Sequence, residues 1–307
     1  MKLIKKKYRK KIKLSLYQIL KHFRPGNIVM YHLGRCGSTV LGSMLSRTNN
    51  IYWSGSILGK ILKDLYIHIN GSIAEVNIDV QNDNYGHEKY WREILNGIGV
   101  NELGNIDNQH KGQIMDLISN YMKNSGYHYF GFEIKPFNNR VLNYNMSNFI
   151  HDIENKGFNY FIILDRKNRL RKILSSIIAH QHLNKWHNIK KEQSKLIKLK
   201  VNLNRVEIDF DSKPLIKYLE DYDKQFNELN QLLDNKKNLL KLYYEDDIQI
   251  DPKLAYIKIC TFLGVSPMKL DIPLKRTNPY QIESMVINFS ELEVYLKNSP
   301  YEWMLYD

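Results

Sequence analysis

The chain has 307 residues, 43% of them apolar and two of them cysteine, with a formal net charge of +13. That length and apolar content suit one α/β unit with a sizeable core. Cys36 and Cys260, far apart and without metal-type spacing, exclude a disulfide framework and fit a reducing, cytoplasmic setting, and no run approaches the roughly 18 consecutive apolar residues of a membrane span.

The charge is not evenly spread. Lys2, Lys5, Lys6, Lys7, Arg9, Lys10, Lys11, Lys13, Lys21 and Arg24 supply ten of the thirteen positive charges, residues 1–24 hold no acid, and the remainder of the chain carries +3. Residues 1–25 therefore read as a basic N-terminal segment and 26–307 as one domain. Leu14, Leu16, Tyr17, Ile19 and Leu20 make the segment amphipathic, which suits a solvated helix, an anionic membrane surface or nucleic acid. The apolar stretch is too short for a signal peptide, and no small-residue cleavage site follows it.

Asn27 to Leu45, NIVMYHLGRCGSTVLGSML, reads as strand, turn and helix. Ile28, Val29, Met30 and Tyr31 form the continuous apolar run of a strand covered on both faces. Gly34 and Gly37 permit a tight reversal, Ser38 and Thr39 stand where helix-capping hydroxyls belong, and Val40, Leu41, Met44 and Leu45 recur at helical spacing. A glycine turn entering a helix aims backbone N–H groups and the positive end of the helix dipole at one anion, with Arg35 beside it. The turn is neither G-x-x-x-x-G-K-[ST] nor G-x-G-x-x-G. It fits a single compact phosphate-like group.

From Ile51 to Asn124 the pattern is mostly helical, with apolar faces at Ile57 to Leu65, at Trp91 to Leu95 and at Ile114 to Met122, and an exposed loop over residues 70–86. These segments predict lids and substrate walls, with Tyr52 and Trp53 able to stack on a base. A second strand runs from Tyr127 to Ile134, and Glu133 and Lys135 share a face at its carboxyl end, where an open parallel sheet collects its chemistry. A third strand, Asn159 to Leu164, leads through Asp165 and Arg166 into a long basic amphipathic helix ending near His187. His180, His182 and His187 lack an acidic or cysteine partner at metal-ligand spacing. Farther on, Gly264 stands where a helix C-cap belongs.

Taken together, these motifs resemble those of the sulfotransferases that use 3′-phosphoadenosine 5′-phosphosulfate, in the bacterial and carbohydrate-acting branches. Leu33 to Thr39 (LGRCGST) is similar to the 5′-phosphosulfate loop, and Arg166, Asn168, Leu170 and Ser175 match the 3′-phosphate pattern R-x-N-x-L-x-x-x-x-S. Trp186 and His187 are similar to a pair that ends the helix in bacterial members, and Lys275, Arg276 and Thr277 resemble the segment that closes over the cofactor. Cys36 stands where Ser or Thr is usual, and Arg35 where the cytosolic animal branch has lysine.

The resemblance implies a three-layer α/β/α fold with a parallel sheet and a phosphate loop of the sulfotransferase, P-loop NTPase-like, type. It implies transfer of a sulfuryl group to a hydroxyl of a carbohydrate or small metabolite, without a metal, with adenosine 3′,5′-bisphosphate as product. Arg35, Cys36, Gly37, Ser38 and Thr39 would hold the phosphosulfate. Arg166 and Ser175, or Ser176 in its place, would hold the 3′-phosphate, and Lys275 and Arg276 would close over the nucleotide. Glu133 would take the acceptor proton with Lys135 assisting, and His32 is the rival base. Two other classes stay open: a nucleotide-dependent phosphotransferase using Asp165 or Asp246 for magnesium, and a nucleic-acid-binding protein drawing on the basic segment and on Lys190, Lys191, Lys195, Lys198 and Lys200.

Overall fold

The computed structural model describes residues 23–57, 108–141, 144–179, 188–189, 196–209, 211–272, 274–275 and 279–306. Five strands form its main sheet: β1 (Asn27–His32), β2 (Ile51–Ser56), β3 (Tyr129–Ile134), β4 (Phe158–Asp165) and β5 (Leu239–Tyr243). They pair in the order β2-β3-β1-β4-β5, and every pairing is parallel. All six residues of β1 are buried, which is what its unbroken apolar run requires of a central strand.

Side-chain alternation divides the interior into two cores. Val29, Tyr31, Phe130, Phe132, Phe161 and Ile163 face one side, while Ile28, Met30, Tyr129, Ile162 and Leu164 face the other. Leu41, Met44 and Leu45 of helix α1 (Ser38–Leu45) pack into the second core. Leu170, Ile173, Leu174 and Ile177 of helix α2 (Arg169–Ile178) pack into the first. The chain is thus an α/β protein with helices on both faces of a parallel sheet. β1 and β4 are neighbours, yet the helices that follow them depart to opposite faces. Such a divergence opens a crevice at the carboxyl ends of the two strands.

Two expectations change here. Ile51–Ser56 is a strand, not the start of a helical region: Ile51 and Trp53 are buried and Tyr52 is exposed, the period of two that a sheet edge imposes. Trp53 is consequently a core residue and no platform for a base. Its ring occupies the space left by Gly131, where an added Cβ would lie 2.4 Å from Trp53 Cε3. Gly131→Ala is expected to lower stability by about 1–3 kcal/mol through overpacking, read as a fall in the urea midpoint; an unchanged midpoint would mean that the indole yields freely.

Gly264 closes the helix Pro252–Leu263 in the left-handed conformation, φ 67°, and the Val265 N–H donates to the Cys260 carbonyl at 2.9 Å. The helix expected over residues 167–187 is observed as Arg169–Ile178; His180, His182, Trp186 and His187 lie outside the described residues, as do 58–107 and Lys190 to Lys195. Among the described residues no helix is long and apolar enough to cross a membrane.

Candidate active site

The reversal after β1 is built from three left-handed residues, Gly34 (φ 79°), Arg35 (φ 55°) and Gly37 (φ 84°). At Gly37 the requirement for glycine is double, because a Cβ there would also come within 2.6 Å of Ile248 Cγ2. Gly37 itself is the N-cap of α1, and no side chain caps that end. The capping expected of Ser38 and Thr39 is therefore not observed: the left-handed turn at Gly37 carries Ser38 into the helix as its first residue, and the Ser38 hydroxyl bonds the Glu133 carboxylate instead. Thr39 follows, half-buried, on the same first turn.

Arg35, held in the left-handed region beside Gly34, sends its side chain across the crevice to α2, where its Nε donates to Ser175 Oγ at 2.9 Å. Its backbone carbonyl accepts from Arg166 Nη1 at 2.6 Å. The two sequence motifs are thereby joined through Arg35. Burial and the neighbouring Arg166 pull the Arg35 guanidinium down to about 10, so it remains charged at neutral pH. Arg166 is almost fully buried, stacks 4.4 Å from the centre of the Tyr244 ring, and leaves its Nε without a hydrogen-bond partner, 3.9 Å from Glu245 Oε1. Burial lowers its ionisation as well. Ser176 is buried beside Ser175 on the same helix. Asn168 caps α2 by accepting from the Arg171 N–H and donates its own amide to the Met304 carbonyl at 2.8 Å.

His32 ends β1, and Glu133 lies near the end of β3, opposite Met30 in the register. The imidazole is fully buried; its Nδ1 accepts from the Gly34 N–H at 3.0 Å and lies 3.6 Å from Cys36 Sγ, and its Nε2 stands 3.5 Å from Glu133 Oε2. Burial, reinforced by Lys135 and Lys172, keeps His32 well below the usual histidine range. Burial pushes the Cys36 thiol up to about 12. Burial raises the Glu133 carboxyl against the opposing pulls of Lys135 and Ser38. The Lys135 chain lies along the loop, with its Cε 3.5 Å from where a Gly34 Cβ would be.

A pair that sequence reading missed lies within one turn of Ser175 on α2. Lys172 is 1% exposed; its Nζ contacts Asp209 and donates to the Tyr222 hydroxyl at 2.6 Å. The only signal for it is a lysine on the apolar stripe of an amphipathic helix. Asp165 is paired with Arg169 at 3.3 Å and Asp246 with Lys167 at 2.6 Å, so each candidate magnesium ligand already faces a cation. Among the described residues no three His, Cys, Asp or Glu side chains cluster as a metal site. Lys275 ends the short strand Leu274–Lys275, which pairs with Asn188–Ile189; Arg276 lies outside the described residues.

No protein-family model matches this sequence, and no curated protein matches it. The likeness to the sulfotransferases therefore stands on the residues of the loop, of α2 and of the strand ends.

Proposed function

We propose that the protein is a sulfotransferase that moves a sulfuryl group from 3′-phosphoadenosine 5′-phosphosulfate to an acceptor hydroxyl, on a carbohydrate or small metabolite. The observation that carries the reading is the Arg35 to Ser175 contact at 2.9 Å: it brings the residues matched to the 5′-phosphosulfate and 3′-phosphate motifs to one crevice. The fit is supported by the uncapped N-terminus of α1, able to meet anionic oxygen, and by the buried guanidinium of Arg166, whose Nε makes no hydrogen bond and lies 3.9 Å from Glu245 Oε1.

The cofactor supplies an electrophilic sulfuryl group on a phosphate leaving group. Glu133 takes the acceptor's proton as the new S–O bond forms and the bond to the 5′-phosphate breaks; the products are a sulfate ester, adenosine 3′,5′-bisphosphate and a proton on Glu133. Arg35, the loop amides and the Thr39 hydroxyl bear the charge that gathers on the leaving oxygen, while the Ser38 hydroxyl is committed to Glu133; such preorganised donors are typically worth about 3–4 kcal/mol each. Lys135 adds positive charge beside the transferred group.

Calorimetric titration tests the reading. The protein should bind adenosine 3′,5′-bisphosphate without magnesium and prefer it to ADP. Equal affinity for the two, or a preference for ATP that needs magnesium, would favour a phosphotransferase. Arg166→Ala is expected to weaken the bisphosphate by about 2 kcal/mol or more, as for the loss of a charge-assisted bond, and to weaken 5′-AMP less. Equal losses would mean that Arg166 acts only by holding the loop through the Arg35 carbonyl.

A further inference from the structure

We infer that His32 is a positioning residue: it carries its hydrogen on Nε2 and uses it to aim the Glu133 carboxylate, so that one imidazole holds both the phosphate loop and the base. The inference rests on the proposed transfer, in which Glu133 is the base.

The backbone group facing Nδ1 settles its role, and the thiol beside it, able to donate or accept, is compatible with that role. The Gly34 N–H can only donate, and it does so at 3.0 Å. Cys36 Sγ, 3.6 Å away, remains a protonated thiol, since burial raises its ionisation to about 12. Nδ1 must then present its lone pair, and a neutral imidazole with an unprotonated Nδ1 has its hydrogen on Nε2. The alternative, an imidazolium, is opposed by complete burial and by the two ammonium groups that act on the ring, Lys135 beyond the end of β3 and Lys172 on α2.

On the far side of the ring, His32 Nε2 and Glu133 Oε2 face each other at 3.5 Å; both are buried and neither has a hydrogen-bond partner. A shift of about 0.5 Å brings them to ordinary hydrogen-bond length, and an unmatched buried donor beside an unmatched buried acceptor is a strong inducement to make it. With Ser38 bonding the same carboxylate from α1, the Glu133 side chain is fixed from two elements. His32 cannot itself be the base in this arrangement, because its lone pair is spent on the loop. The arrangement also gives the His32 position a chemistry that leucine or phenylalanine, equally suited to a buried strand end, would not supply.

The test needs no acceptor. Nitrogen-15 NMR of histidine-labelled apo protein should show His32 as the Nε2–H tautomer, without titration between about pH 5 and 8, the interval in which an ordinary histidine titrates. A Nδ1–H tautomer, or a ring that charges in that interval, overturns the inference. Carbon-13 carboxyl titration of Glu133 is the second measurement. His32→Leu removes a donor to the ionised carboxylate and should raise the Glu133 midpoint, and His32→Gln, which keeps an amide N–H near the Nε2 position, should return it toward the parent value. An unmoved midpoint in His32→Leu also overturns it. If the bisphosphate fails to bind the unmodified protein, the sulfotransferase reading fails while the tautomer result stands independently.

Discussion

Glu133→Gln is expected to lower the rate of sulfuryl transfer about 100- to 10,000-fold, the usual contribution of a general base, while adenosine 3′,5′-bisphosphate binds as before. The carboxylate is removed at the point of proton transfer, and Arg35, Arg166 and Ser175 are untouched. Burial raises the Glu133 carboxyl above its ordinary value, and a base whose pKa lies nearer the working pH accepts a proton with a better driving force. The acid limb of the rate profile should accordingly lie above the ordinary glutamate range of about 4.3, with activity falling as pH drops through it, and the limb should vanish in the Gln variant. Stability has the opposite sign. A raised folded-state pKa favours the protonated form, so the contribution is complete below the unfolded value and is lost as pH rises through the folded one. Glu133→Gln should therefore equal the parent in acid and match or exceed it at neutral pH. Rates are to be measured against a panel of sugars and phenols, using the hydroxyl compound that reacts fastest. Near-normal turnover in Glu133→Gln would overturn the assignment.

The second large effect is on the fold. Lys172→Met is expected to cost about 3–5 kcal/mol, the range for removing one partner of a buried ion pair, measured by urea unfolding. Lys172 has essentially no exposed surface, and Asp209, whose side chain is 19% exposed, is held below the usual carboxylate range by Lys172 together with the Tyr222 hydroxyl. Burial nevertheless lowers the lysine's own ionisation in spite of Asp209. The intact pair is thus a modest net contributor, and the cost of the variant lies in a buried carboxylate that has lost its ammonium. Lys172→Met combined with Asp209→Asn, which removes the charge and suits the left-handed backbone at this position (φ 53°), should recover most of the loss. The depressed carboxyl of Asp209 makes its stabilisation present above the unfolded carboxylate pKa and lost as pH falls through the folded one. A Lys172→Met protein as stable as the parent would show that Asp209 finds solvent on its own.

Much of the frame was legible because parallel strands are written as apolar runs: IVMY, NYFIIL and the strand before Glu133 lie within a residue or two of their observed limits. β2 was not, since Ser54 and Gly55 break the β-branched pattern, and only the alternation of Ile51, Tyr52 and Trp53 betrays it. The loop glycines announced a turn, but the position of the cap was decided by backbone sterics at Gly37, where Ile248 leaves no room for a side chain; two consecutive hydroxyls could not reveal that. Glu133 and Lys135 were readable as strand-end charges. That His32 faces one of them, and that Lys172 reaches Asp209 across 37 positions, follow from topology, for which local spacing holds no record.

Among the described strands the central one comes first and finds its partners late. Asn27 lies opposite Phe130 on one side and Phe158 on the other, 103 and 131 positions onward. During synthesis, at about 5–20 residues per second, β1 therefore waits on the order of ten seconds before both neighbours exist. Pairings so remote in sequence place the chain among slow folders, and until they form, Ile28 to Tyr31 is a nascent apolar edge open to association with other chains. For this protein the hazardous interval is birth, and a chaperone that shelters the first 165 residues should raise its yield more than any ligand added after release.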